Sequence, residues 1–187
     1  LDVRVAKQAD RLPQGQGGPL EHVIAGKAVA FREAADPGFK EYAHQIVANA
    51  RALADALGGH GFRLVSGGTD NHLMLIDLRP FDEDLTGKDA QNALDAAGIT
   101  LNKNTVPDDP RSPFVNSGLR IGTTSVTTQV MTESDMVKVA GLIARVLRNT
   151  SDESSLSDVR GEVAELFSRF TTYPRLPAPQ LYLWSVD

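Results

Sequence analysis

The sequence predicts an α+β protein, on three observations. Apolar residues recur at helical spacing from Leu20 to Leu57, the rhythm changes to short period-two runs between Phe62 and Ile121, and helical spacing returns from Met136 to Phe170. Helices therefore precede and follow a small set of strands, which the spacing reads as antiparallel.

Residues 1–18 read as a polar, irregular lead-in, with Pro13 and a mixture of glutamine and glycine up to Gly18. Leu20, Val23, Ile24, Ala28, Phe31 and Ala35 then keep helical register, and Pro19 is read at the first-turn position, where its missing N–H costs nothing. Asp36-Pro37 ends that helix and caps the next. The second carries Phe39, Tyr42, Ala43, Ile46, Val47, Ala50, Leu53, Ala54 and Leu57 on one face, and Gly58-Gly59 is read as its stop.

Phe62 to Val65 and His72 to Leu78 are expected strands around a Ser66 to Asn71 turn. Thr86 to Asp89 has capping-box character before Ala90, Leu94 and Ala97, and Gly98 ends that short helix. A brief strand is expected at Ile99 to Leu101, then a long loop from Asn102 to Ser117, then a strand at Gly118 to Gly122 with Arg120 in its middle. Thr132 to Asp135 caps a helix carrying Met136, Val139, Ala140, Ile143 and Leu147, and a last helix holds Val159, Val163, Leu166, Phe167 and Phe170. The expected organisation is a lead-in at 1–18, helices at 19–59, a small α+β domain at 60–170 and a tail at 171–187 that docks or stays disordered.

With 187 residues, 41% of them hydrophobic, the chain is long enough to bury a sizeable core. The absence of cysteine excludes a disulfide scaffold, a thiolate-ligated zinc and a thiol nucleophile. A net charge of −5 argues against nucleic acid as a partner, and no cluster of Lys and Arg is read that would oppose it. The longest apolar stretches, such as Leu73 to Ile76, are too short to span a membrane, and the start lacks the apolar segment of a signal peptide, so a soluble, cytoplasmic protein is expected. The four histidines show no metal-ligand spacing, so no metal is expected. Ser66 and Ser112 both lack the GxSxG elbow of a serine nucleophile. The chain opens with Leu1, which suits a recombinant piece, a processed product or a fragment.

Three places hold residues that packing alone does not demand. Gly17 and Gly18 stand at the mouth of a helix, where backbone N–H groups and the helix dipole favour a phosphate; the plainer reading is a flexible lead-in. Arg120 lies between apolar neighbours and must meet an anion, either a ligand carboxylate gripped in bidentate fashion or an internal acid. The loop from Asn102 to Ser117 offers Asn102, Asn104 and the Ser112-Pro113-Phe114 turn as directional and apolar contacts for a flat heterocycle, or is a surface loop without a ligand.

At these same places the sequence resembles serine hydroxymethyltransferase. The stretch from Gln16 through Gly17, Gly18, Pro19 and Leu20 to Phe31 looks like the family's signature after its cofactor lysine. Val65 to Leu73, Leu85-Thr86-Gly87-Lys88, Asn102-Lys103-Asn104 and Asp109 to Thr123 follow in the family's order. Motifs collinear over about 110 residues are far more specific than any one of them.

The resemblance implies the C-terminal small domain of the pyridoxal-phosphate-dependent aspartate-aminotransferase fold type, preceded by long interdomain helices. It implies the interconversion of serine plus tetrahydrofolate with glycine plus methylenetetrahydrofolate, and a homo-oligomer, dimer or larger. In this light Arg120 looks like the arginine that grips the amino-acid carboxylate. Gly17 and Gly18 look like the loop reaching the phosphate of pyridoxal 5'-phosphate in the neighbouring subunit, and Asn104 with Ser112, Pro113 and Phe114 resembles the folate-contacting loop. The Schiff-base lysine, the aspartate on the pyridine nitrogen and the histidine stacked on the ring all lie upstream in the family. None of Lys7, Lys27, Lys40, Lys88, Lys103 and Lys138 has the lysine's context.

The chain therefore resembles roughly the C-terminal two-fifths of the enzyme, with no catalytic residue of its own, an upstream large-domain portion as partner, and no activity expected alone. Departures from the pattern are residues 1–12, Thr124 in place of proline, Gln129-Val130 in place of a glycine-containing turn, and Phe170 to Tyr173 in place of Phe-Pro-Leu-Tyr. The rival expectation is a non-catalytic module that keeps the small-domain fold and associates through apolar faces of its first two helices.

Overall fold

The structure is a computed structural model, and it describes residues 18–170 and the backbone of Leu181–Tyr182. The expectations for Gly17, for the rest of the lead-in and for the tail outside Leu181–Tyr182 lie outside the described residues. The chain divides into two compact units, Leu1–Lys40 and Glu41–Asp187.

In the first unit, helix α1 runs Glu21–Ala34 from an N-cap at Leu20. Pro19 thus stands one residue ahead of the cap, outside the first turn, and its carbonyl accepts the Glu21 N–H at 2.9 Å. The helix buries none of its residues, and Leu20, Ile24, Val29 and Phe31 are all more than half exposed. Asp36 starts helix α2, Pro37–Gly59, by accepting the Gly38 N–H on Oδ1 at 2.8 Å.

The second unit begins within α2, whose stripe is buried from Ile46 through Ala50, Leu53 and Ala54 to Leu57. The helix ends in a Schellman motif: Phe62 N–H returns to the Leu57 carbonyl, Gly61 N–H to Gly58, and the left-handed residue is Gly61 at φ 95 rather than Gly58 or Gly59.

Strands β1 (Arg63–Leu64), β2 (Leu73–Asp77), β4 (Asn102–Asn104) and β5 (Gly118–Gly122) form an antiparallel sheet in the order β1-β2-β5-β4. Helix α3 (Gly87–Ala96) and strand β3 (Ile99–Thr100) lie between β2 and β4. Three helices follow β5: α4 (Thr124–Thr128), α5 (Glu133–Arg148) and α6 (Glu153–Phe167). Strand β6 (Leu181–Tyr182), within the expected tail, pairs in parallel with β3. The mixture of six described helices with a small antiparallel sheet is that of an α+β protein.

Asn102–Asn104 is a correction to the expected loop. Asparagine and lysine have little strand preference, and the register with β5 places them in the sheet: Asn102 opposite Arg120, Lys103 opposite Leu119, Asn104 opposite Gly118. The outer edge of β4 is also occupied, since Gln91 on α3 accepts the Lys103 N–H at 2.8 Å.

Two facing rows on one side of the sheet, Met74 with Ile121 and Ile76 with Leu119, enter a core shared with α2, α3, α5 and α6. Thr86 caps α3 by accepting the Asp89 N–H at 3.1 Å, and Thr132 with Asp135 forms the expected capping box of α5.

Helix α4 was not legible in Thr-Ser-Val-Thr-Thr. It closes in a second Schellman motif, with Met131 N–H to the Val126 carbonyl and Val130 N–H to Thr127. Here the left-handed residue is Val130, at φ 60 and 75% exposed. A β-branched residue in that region is strained, and its exposed side chain returns little packing. Val130→Gly is expected to stabilise the protein by about 1 kcal/mol, a rise in midpoint of about 2–4 °C. Differential scanning calorimetry checks it, and a lowered midpoint contradicts the strain reading.

Candidate functional site

Alternation along β5 decides where Arg120 points. Leu119 and Ile121 are fully buried on the core side, so Arg120 stands half-buried on the opposite face with Gly118 and Gly122. Antiparallel register carries that face across the sheet. One row is Asn102, Arg120 and Leu75, and the next is Asn104, Gly118, Asp77 and Arg63. The structure thus brings two predicted residues, Arg120 and Asn104, to one face as diagonal neighbours, with Asn102 directly beside the arginine. The Asn104 carboxamide donates to the Thr105 carbonyl at 2.8 Å.

The remaining loop, residues 105–117, folds over the second row because glycine leaves room for it. A Cβ on Gly118 would lie 2.4 Å from Val106 Cγ1 and 2.5 Å from the Ile76 carbonyl oxygen. On the other flank, a Cβ on Gly87 would meet the Gly118 carbonyl oxygen at 2.7 Å, so the start of α3 sits directly against β5. The loop then returns along α3: Gly87 N–H donates to the Asn116 carbonyl and Lys88 N–H to Val115.

Asp109 holds the interior of the loop. Its Oδ2 accepts the N–H of Val106 at 3.2 Å and of Ser117 at 2.9 Å, and its Oδ1 accepts the Arg111 N–H at 3.0 Å and the Ser117 hydroxyl at 2.6 Å. The Arg111 guanidinium donates in turn to the carbonyls of Glu83 and Leu85 and to Ser117 Oγ. Burial pushes the Asp109 carboxyl up, but the Ser117 hydroxyl and the three N–H groups outweigh it and hold the group below its ordinary value.

A second anchor lies at the end of β2. Asp77, fully buried, is clamped by the forked guanidinium of Arg79 and paired with Arg63, while Arg79 also reaches the Pro107 and Asp108 carbonyls. Burial raises the Asp77 carboxyl as well; the Arg79 hydrogen bonds, then the charges of Arg79 and Arg63, bring it below the ordinary range.

Ser112, Pro113 and Phe114 occupy the exposed tip of this loop rather than the sheet face. The Ser112 carbonyl accepts from Val115 and Asn116, each at 2.9 Å, and the Phe114 side chain is 84% exposed. Gly18 belongs to the first unit, with nothing within 4 Å of where a Cβ would stand. Among the described residues, no cluster of histidine and carboxylate side chains has the form of a metal site, and no helix is long and apolar enough to cross a membrane.

Sequence reasoning missed the polar pins behind the site. Asn49, fully buried on α2, donates to Thr127 Oγ1 and to the Met131 carbonyl, both at 2.9 Å, and accepts from Gln45. Thr123, directly after β5, donates its hydroxyl to the Ile46 carbonyl at 3.0 Å. These bonds fix the segment leaving the Arg120 strand to α2. The available signal was an asparagine on an apolar stripe, three residues after Ile46 and four before Leu53.

Comparison with known proteins places the chain in a family. The family model described as serine hydroxymethyltransferase matches residues 5–143, and the chain belongs to that family. Among curated relatives it is similar to the serine hydroxymethyltransferase of Halorhodospira halophila, with 56% identity over 161 residues. The match covers 86% of this chain and 38% of that relative, so the chain spans well under half of the relative's length.

Replacing Asp109 with Asn removes a charge and aims an amide N–H at backbone donors. A loss of about 2–3 kcal/mol is expected in urea unfolding. The unfolded carboxyl titrates near about 3.9 and the folded one lower, so this stabilisation is whole above that pH and fades as pH falls through the folded value. The variant should therefore lose less stability than the parent as the pH falls below about 4; identical acid profiles contradict the role of Asp109.

Proposed function

We propose that this chain is the C-terminal part of a pyridoxal-phosphate-dependent serine hydroxymethyltransferase, interconverting serine plus tetrahydrofolate with glycine plus methylenetetrahydrofolate when joined to its upstream large-domain portion. In this reading residues 60–170 are the small domain of the aspartate-aminotransferase fold type, residues 19–59 are interdomain helices and residues 171–187 a tail. The assembly is a dimer or larger, in the cytoplasm. The observation that carries the reading is the half-buried Arg120 in a sheet row with Asn102, one row from the Gly118 row that the loop held by Asp109 covers.

Each part of the chain takes a stated task. Arg120 grips the amino-acid carboxylate with its planar fork and so fixes the substrate about its Cα. Asn104 offers a directional amide to the folate heterocycle, while Ser112, Pro113 and Phe114 give it a polar contact and an apolar edge. Gly17 and Gly18 lead into the positive end of α1 and approach the cofactor phosphate of a neighbouring subunit. At Gly18 the open space suits such an approach. The cofactor, when bound, supplies an electron sink for bond cleavage at Cα. The lysine that holds it belongs to the upstream portion.

The test joins this chain to a segment of the Halorhodospira halophila enzyme upstream of the matched region. Serine cleavage dependent on tetrahydrofolate is expected from the pair. Arg120→Ala should raise the KM for serine by on the order of 10²-fold, the cost of leaving a carboxylate without its partner. The chain alone, mixed with pyridoxal phosphate and borohydride, should show no trapped lysine by mass spectrometry. A single stoichiometrically trapped lysine overturns the division of labour. Absence of activity together with self-association through the exposed face of α1, around Leu20, Ile24 and Phe31, favours a non-catalytic association module instead.

A further inference from the structure

The folded chain gathers cations that are scattered in the sequence. Lys138, Arg145 and Arg148 follow one stripe of α5, Arg169 comes two residues after the end of α6, and together with His60 they wall a groove of about 490 Å³. Its floor is apolar, made by the nearly buried Leu142 and Leu166. Gly141 lies with them in the lining, 4.0 Å from His60 Nε2 at the point where a Cβ would stand. Glu162 and Glu165 are the acids of the lining. The balance is basic in a chain whose net charge is −5.

The cations are ordered but not saturated. Arg145 donates through Nη1 to Glu162 at 2.6 Å, Arg148 through Nη2 to the His60 carbonyl at 3.1 Å, and Lys138 meets Asp135 at 3.4 Å. A guanidinium carries five N–H donors and an ammonium three, so most remain directed at solvent or at the groove. The side chains of Lys138 and Arg145 are 53% and 44% exposed.

We propose that this groove binds a small phosphorylated anion with an apolar body, of nucleotide size, at a place distinct from the Arg120 face. Forked guanidiniums favour phosphate oxygens, and the leucine floor favours a ring or chain attached to them. The resident glutamates set the charge required. A single carboxylate gains nothing over Glu162, whereas a group bearing two or more negative charges does. The apolar core, with Leu119 and Ile121 on the reverse of the Arg120 face, separates the two places.

Titration of the chain with ADP in about 150 mM salt, followed by calorimetry, tests this. Saturable binding with a Kd below about 1 mM is expected, with inorganic pyrophosphate several-fold weaker because it lacks the body. Lys138→Glu/Arg145→Glu should weaken ADP at least tenfold. The milder Lys138→Gln/Arg145→Gln, checked by circular dichroism for an unchanged fold, should weaken it in the same direction, and Arg120→Ala should leave it unchanged. The proposal is overturned by absence of saturation, by pyrophosphate binding as tightly as ADP, or by loss of binding in Arg120→Ala while both double variants bind normally.

Discussion

The missing side chain of Gly118 is the constraint on which the rest of the candidate site depends. At that point four elements converge: the Ile76 carbonyl of β2, the Asn104 carbonyl of β4, Val106 of the loop and, through the Gly118 carbonyl, the first residue of α3. Only a backbone without Cβ admits them together. Their convergence lets a short strand lie between two partners, with a loop folded over one of its faces two residues from Arg120. Gly87 extends the same logic to the helix, so the pairing of Leu-Thr-Gly-Lys with Asn-Ser-Gly is a steric agreement between two glycines distant in the chain.

Around that close approach the loop is organised by charge-assisted hydrogen bonds rather than by apolar packing. Asp109 collects donors from both ends of the loop, and the Asp77–Arg79 clamp ties its first part, at Pro107 and Asp108, to the sheet. Both carboxyls are held ionised against the effect of burial, because their partners are fixed donors rather than water. A loop built this way has a defined backbone and still presents Ser112, Pro113 and Phe114 outward. It is a frame pinned by hydrogen bonds, with an exposed tip.

Much of this was legible before the fold. The apolar periods of α2, α5 and α6, the caps at Thr86 and Thr132 and the strand around Arg120 all follow from local chemistry, since a period or a cap acts within a few residues. What escaped was what depends on distant partners. Asn102–Asn104 became a strand because β5 lies beside it, against its own propensity. Asn49 reads as a flaw in a stripe until Thr127 and Met131 stand opposite it. Val130 stands out in the sequence only as a departure from a glycine-containing turn, and the end of α4 supplies the reason: it requires a left-handed residue there, where Gly61 and Gly98 serve the equivalent positions elsewhere.

The order of motifs from Gln16 to Thr123 determined by itself which family the chain belongs to, and helical and strand periods determined its α+β class, because both are written in neighbouring residues. The tertiary structure alone decided that Arg120 and Asn104 share a sheet face, that the loop closes over Gly118, and that Lys138, Arg145, Arg148 and Arg169 line one groove. The physical reason is the same in each case. Register, close approach and the pooling of charge are relations between residues that the chain separates and only packing brings together.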